Sequence, residues 1–400
     1  MRKVIQLVAL LALANCERPL GTGSARGHDA GAPSDQVAAA ADAGSVVKMV
    51  QTSVGTVHSC ALSSDGTVHC WGYNQYGQLG DFTTGTSYKP TTVVRLSNAV
   101  QISSGAEHTC AVRSDASVVC WGNGQFGQLG DGLGCTNNVP VLAVGLPPVK
   151  TVSCGYHYSC AITLDGALYC WGMNNDNCLG PGTAGNTFVP TVVAGLNGVP
   201  VASVAIGETH ACAVLVGGLV TCWGSGEYGE LGNGSDLASD LPTGIVLTNA
   251  LQVAVGYHHT CAALIDGTVN CWGWNSCHVL GIEGNDEQDA PVPVAALNNV
   301  AAISAGDFSN CATGNDGAVA CWGDNADGKL GNGTTERSSS PTALACNDAA
   351  RSVSVGENHA CAAFNDGHVA CWGLNQYGQL GNGTTEASAV PAAIVWPSAL

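Results

Sequence analysis

From residue 46 onward the chain alternates short apolar–polar runs with glycine-rich breaks, and no stretch keeps a helical period. The second of these units shows the pattern well. Ala99-Val100-Gln101-Ile102-Ser103 alternates as a first strand, and Gly105 ends it. His108-Thr109-Cys110-Ala111-Val112 and Ser117-Val118-Val119-Cys120-Trp121 read as a second and a third strand. After a loop containing Gly127-Gln128-Leu129-Gly130, Pro140-Val141-Leu142-Ala143-Val144 reads as a fourth. Four short strands with turn signals between them describe one blade of a propeller.

The unit repeats. Its most constant stretch is Cys70-Trp71-Gly72, which returns at Cys120, Cys170, Cys222, Cys271, Cys321 and Cys371 in steps of 50, 50, 52, 49, 50 and 50 residues. A fixed period of this size dictates the fold before any other motif is weighed. The expectation is an all-β, seven-bladed β-propeller over residues 46–400, with four short antiparallel strands per blade. A Pro391-Ala392-Ala393-Ile394-Val395 strand meeting the first blade is the expected ring closure.

Each Cys-Trp-Gly has a second cysteine ten residues upstream, at Cys60, Cys110, Cys160, Cys212, Cys261, Cys311 and Cys361. In the first unit Ser64-Asp65-Gly66 reads as a three-residue hairpin loop, with glycine where a left-handed residue is needed. A hairpin centred on Asp65 sets Cys60 opposite Cys70, within disulfide range. Seven within-blade disulfides are therefore expected. The rival is metal binding, because a histidine lies two residues before five of these cysteines. Zinc sites use closer cysteine spacing, and Tyr158 and Ser309 replace the histidine in two units. No metal or cofactor is expected. Apart from Cys16, five further cysteines stand outside the pairs: Cys135, Cys154, Cys178, Cys277 and Cys346. Of these, Cys135 and Cys178 are expected to bridge neighbouring blades.

Composition adds a compartment and a sign. Twenty cysteines in this arrangement speak for an oxidising environment. Met1-Arg2-Lys3 followed by the apolar run Val4 to Ala14 reads as a signal peptide over residues 1–15, too short to span a bilayer. Leu13-Ala14-Asn15-Cys16 resembles the lipobox of bacterial lipoproteins, although Asn15 departs from the usual small residue. The resemblance implies lipidation of Cys16. Because Glu17 is not aspartate, it also implies an outer-membrane address; the alternatives are a periplasmic or a secreted protein. Residues 16–45, rich in Ala, Gly, Ser, Pro and Asp, read as a flexible tether. A net charge of −18 repels nucleic acid and anionic lipid, so membrane contact is expected only through the anchor and partners are expected to carry a basic face.

Gly105-x-x-His108-Thr109-x-Ala111-Val112, then Val118-x-x-Trp121-Gly122-x-x-x-x-Gly127-Gln128-Leu129-Gly130, resembles the regulator of chromosome condensation (RCC1) repeat. The match spans about residues 46–400 and recurs seven times. The cysteine pairs are an addition to the general family pattern that suits a secreted bacterial protein. The resemblance implies a seven-bladed propeller. The family's founder is a nucleotide exchange factor for a nuclear GTPase, a role that export of this chain would exclude. Secreted bacterial inhibitors of β-lactamase use the same propeller as a protein-binding disc. Fold alone licenses neither activity.

Antiparallel order puts the Gly-x-x-His loops and the loops after Trp-Gly at one end of the blades, with the hairpins at the other. The loop positions that break the repeat are the candidate partner-binding residues: Glu107, Tyr156, His157, Glu208, Tyr257, His258, Trp274, His278, Phe308 and Glu357. Aromatic residues are the commonest binding hot spots. By contrast, Tyr76, Phe126, Tyr228 and Tyr377 recur at one register and are expected to pack between blades. The reading is a monomeric, exported, lipid-anchored, non-catalytic scaffold that binds a protein partner through this face. The alternative is a hydrolase or carbohydrate-binding propeller whose funnel gathers Glu107, Glu208 and Glu357. Convergent carboxylates would favour the second, a broad aromatic surface the first.

Overall fold

The computed structural model describes residues 47–396 apart from 182 and 246; the signal peptide, the lipidation site Cys16 and the tether lie outside the described residues. Twenty-eight strands form seven four-stranded antiparallel sheets, each built from consecutive strands of one repeat. In blade one these are β1 (Met49–Val54), β2 (His58–Ser63), β3 (Val68–Gly72) and β4 (Ser87–Thr92). The first strand of every blade lines a central channel and the fourth forms the rim. In blade two the outer strand is Asn137–Leu142, beginning three residues before the Pro140 start read from the sequence. Proline does not break it because the strand is an edge. All seven outer strands carry proline at their fourth residue, which removes a donor from an edge open to pairing.

The cysteine expectation holds in all seven blades. Cys60 pairs in register with Cys70 at a Cα–Cα distance of 4.1 Å, and the other six bridges repeat that geometry. The hairpin that sets this register is fixed by Asp65, whose carboxylate accepts the Thr67 N–H at 3.0 Å, and by Gly66 at φ 87°. In blade two Ala116 adopts the same left-handed conformation, φ 63°. The expected Cys135–Cys178 bridge is not formed: Cys178 is a buried free thiol, and Cys135 is disulfide-bonded elsewhere. Among the described residues Cys154, Cys277 and Cys346 are also free. Burial pushes the Cys154 and Cys178 thiols up to about 12, which keeps them protonated and unreactive.

Seven apolar clusters lie between the blades. Each Cys-Trp-Gly tryptophan is fully buried, and its indole N–H reaches across to a main-chain carbonyl of the preceding blade's loop, as Trp121 Nε1 does to Gln78 O at 2.8 Å. The recurring histidine reaches the other way: His58 Nε2 meets Thr109 Oγ1 of the next blade at 2.8 Å. Burial lowers the His58 pKa to about 3, so the ring is neutral and its bond structural. Where tyrosine replaces it, Tyr158 Oη donates to His210 O at 2.8 Å.

Ring closure differs from expectation. The last outer strand, Ser388–Ala393, pairs only with the third strand of its own blade. The ring closes by the same side-by-side packing as every other interface: Trp71 Nε1 donates to Gln379 O at 2.8 Å, and His359 Nε2 meets Ser59 Oγ at 2.8 Å. Beyond that strand, Trp396 touches blade one, with its ring 5.1 Å from that of His69.

Candidate protein-binding face

The two loop families that the sequence places at one end are joined by main-chain hydrogen bonds. Tyr73 N–H donates to Val57 O at 3.0 Å in blade one, and Trp274 N–H to His258 O at 2.8 Å in blade five. The two variable positions of each Gly-x-x-His loop then point in different directions. In six blades the first of them, Thr56, Ala106, Tyr156, Glu208, Asp307 or Glu357, lines the channel. The second lies outward, against the loop that follows Trp-Gly.

The channel holds ≈ 640 Å³ and carries three carboxylates, Glu208, Asp307 and Glu357, at this mouth. Burial raises the Asp307 pKa to about 7, helped by the fields of Glu357 and Glu208 and opposed by Lys329. Burial also raises Glu208, again with Glu357 contributing. Tyr156 is pushed well above its ordinary value, first by burial and then by the surrounding carboxylates. The sign of the pH effect follows. Asp307 releases its proton near 3.8 when unfolded but near 7 when folded, so its contribution to stability is lost as pH rises through that window. Asp307→Asn is expected to stabilise the protein by about 1–4 kcal/mol at pH 8, from a shift worth about 1.4 kcal/mol per pKa unit. The gain should vanish at pH 4. Thermal melts at the two pH values check this, and equal gains at both would contradict it.

Outside the mouth, blades four to six carry a continuous set of half-buried rings. Tyr257 lies 4.0 Å from His258 and 5.7 Å from Phe308, Tyr228 lies 4.5 Å from His258, and Trp274 lies 5.8 Å from Phe308. Edge and tilted approaches at these distances are favourable ring geometries. Two buried charges anchor the cluster from beneath, Glu230 and Lys329, at the position that is glutamine in blades one, two and seven. In blades one, two and seven that glutamine accepts a main-chain N–H, as Gln78 Oε1 does from Tyr76 at 3.0 Å. Glu230 keeps that bond, from Tyr228 N–H at 2.7 Å, adds the Ser225 hydroxyl at 2.8 Å, and places an oxygen 3.8 Å from His258 Nδ1. Burial alone would raise the Glu230 carboxyl, but His258 and these donors hold it at about 2. Lys329 is 1% exposed. Its ammonium pairs with Asp324 at 3.0 Å, donates to Glu357 O at 3.1 Å and lies 5.6 Å from the Phe308 ring centre.

Of the sequence candidates, Tyr257, His258, Trp274 and Phe308 come together in this cluster, and Tyr156 with Glu208 and Glu357 stands at the channel mouth. His157 packs 4.9 Å from Phe126 and 4.8 Å from Tyr156 in a smaller group. Glu107 does not join the funnel. It is a second-position residue and accepts a 2.8 Å bond from Asn123. His278 does not join the rings either, because it occupies the loop's left-handed glycine position, φ 59°, and its Nδ1 lies 3.0 Å from Gly284 O. Three of the four recurring rings span blades, as expected: Phe126 meets His157, Tyr228 meets His258, and Tyr377 meets Tyr73 at 5.0 Å. Sequence reasoning passes over Asp307, Glu230 and Lys329. The last two are marked by a charge in a repeated glutamine slot.

Family comparison agrees with this architecture. The family model of the RCC1-like domain matches residues 14–298, and models of the RCC1 repeat match residues 300–329, 316–363, 350–379 and 366–399. The chain belongs to the RCC1-like family. A sequence search of curated proteins finds no match. Among solved structures, this RCC1-like propeller is similar to the yeast RCC1 (Prp20) complex with Kap60, at 22% identity, covering 82% of this chain and 83% of that one, with a TM-score of 0.74. It is also similar to human WBSCR16, at 25% identity, 78% and 85% coverage and a TM-score of 0.72. Prp20p of Saccharomyces cerevisiae, described with its binding to Gsp1p and histones, gives 22% identity, 84% and 87% coverage and a TM-score of 0.74. These likenesses establish the RCC1-like fold.

Proposed function

We propose that this RCC1-like propeller is an exported, lipid-anchored, non-catalytic scaffold that docks a protein on its loop face. The observation that carries the reading is the ring cluster of Tyr228, Tyr257, His258, Trp274 and Phe308, assembled largely from residues that break the repeat. A structural need common to all blades would recur in all blades, as the buried tryptophans do. Half-buried, rigid aromatics present large contact area at small entropic cost, which is why they dominate binding hot spots. Seven buried disulfides and the N-terminal leader pattern support export to an oxidising compartment, with the outer membrane as the address. Prp20p, of the same fold, is likewise described through its binding of other proteins.

The expected outcome of a pull-down from the source cell envelope is a discrete partner retained by the tagged protein. Trp274→Ala with Tyr257→Ala should weaken capture by about 30-fold or more, since each hot spot contributes about 2 kcal/mol. Unchanged capture by the double variant would remove this face from consideration. The funnel-hydrolase alternative has in its favour the gathering of Asp307, Glu208 and Glu357 around one cavity.

A further inference from the structure

The channel mouth brings together features that the aromatic cluster does not use. Glu208, Asp307 and Glu357 line one cavity, and among the described residues none of their carboxylates has a hydrogen-bond or ion-pair partner. The nearby cation, Lys329, is already matched by Asp324 at 3.0 Å and by the Glu357 main-chain oxygen at 3.1 Å, and it sits behind Phe308. Tyr257 N–H donates to Asp307 O at 3.4 Å, so the carboxylate group and the ring cluster adjoin. Lys150 and Arg351 also line the channel, near the starts of their inner strands. Six residues of strand, about 20 Å at the usual rise, separate Lys150 from Tyr156. The channel is therefore basic toward the hairpin end and acidic at the loop face.

Glu208, Asp307 and Glu357 are partly buried, and carboxylates desolvated without partners carry a cost that falls when a cation enters among them. Tyr156 lines the same mouth, and an aromatic ring there adds cation–π attraction to a flat guanidinium or an ammonium. The cavity accommodates one such side chain from the loop face, and the basic far end discourages its passage through.

We propose that this mouth is a seat for a single lysine or arginine side chain projecting from the docked protein, held by Asp307, Glu357 and Glu208, with Tyr156 beside it and Tyr257 adjoining from the ring cluster. The proposal rests on the loop face being a docking surface and adds the chemistry that the docked surface presents. A partner with a protruding basic residue surrounded by apolar contact area fits both parts of the face.

The test uses the purified full chain and two small probes, N-acetylarginine methylamide and its neutral isostere N-acetylcitrulline methylamide, titrated by saturation-transfer NMR. The arginine probe is expected to bind at least tenfold tighter than the citrulline probe. Asp307→Asn with Glu357→Gln should weaken it at least fivefold, while Asp316→Asn on a hairpin at the opposite end leaves it unchanged. Equal affinity for the two probes, or an unaltered affinity in the double variant, overturns the seat. So does a captured partner that is held equally by wild type and the carboxylate variant but lost by the Trp274→Ala and Tyr257→Ala pair; that result leaves the docking face standing. Asp307→Asn removes a partly buried charge that has no partner, so loss of probe binding in a folded variant reports the seat and not the fold.

Discussion

Trp71→Ala is expected to open the ring at its seam and to cost about 3–5 kcal/mol, the range for truncating a buried tryptophan in a packed core. Trp71 is fully buried between blades one and seven, packed with Ala61, Cys361, Val369 and Leu380, and its indole N–H is bonded to Gln379 O at 2.8 Å. The same substitution at Trp171 removes an equivalent contact, Trp171 Nε1 to Gln128 O at 2.9 Å, inside the chain. The two should differ in kind. Blades two and three stay joined by the polypeptide when their interface weakens, whereas blades seven and one are held together only by packing and hydrogen bonds. In a repeat protein coupled through nearest neighbours, loss of the unlinked interface frees two blade edges at once. Hydrogen exchange should therefore rise along Met49–Val54 and Ala350–Val355 in Trp71→Ala, and should stay near the wild-type pattern there in Trp171→Ala. Matching exchange in the two variants would show that the chain link between blades contributes nothing to cooperativity.

Reduction of the seven disulfides is expected to prevent refolding altogether. Each bridge joins cysteines ten residues apart. A loop of that length constrains the unfolded chain by about 2–3 kcal/mol in the entropic account. Seven such constraints together exceed the roughly 5–15 kcal/mol by which domains are ordinarily stable. Every paired cysteine is nearly inaccessible, so reductant reaches the bridges only when a blade opens. In native buffer the bridges should survive reductant for hours. In denaturant they should be lost at once, and the reduced chain should stay unfolded after the denaturant is removed. Recovery of β-structure by fully reduced protein would overturn the view that the bridges are required for the fold.

Much of the architecture is legible in the residues because the repeat states it seven times. The ten-residue cysteine step forces the hairpin register, and Asp65-Gly66 explains the turn that realises it. The Trp and His of each unit are readable as inter-blade fasteners because regular recurrence argues for packing rather than for a site. Ring closure is not legible. Whether the last strand pairs with the first blade depends on contacts between residues some 300 positions apart, such as His359 with Ser59, and no local pattern encodes them. On the binding face, which loops gather is readable from antiparallel order alone. Which way each side chain points is not. The two variable positions of a Gly-x-x-His loop face opposite directions, so Glu107 turns to Asn123 while Asp307 lines the channel. His278 stands apart from the rings because its slot is a turn position, the left-handed one that is glycine in five other blades.

The central claim is that the loop face of blades three to seven is where a protein docks. Hydrogen-exchange mass spectrometry of the chain with and without its captured partner tests it most directly. Protection is expected to concentrate in residues 155–158, 206–209, 256–258, 273–278, 306–308 and 356–358, with the hairpin turns at 64–67, 164–167 and 315–318 unchanged. Protection confined to the hairpin turns or to the outer strands would contradict it.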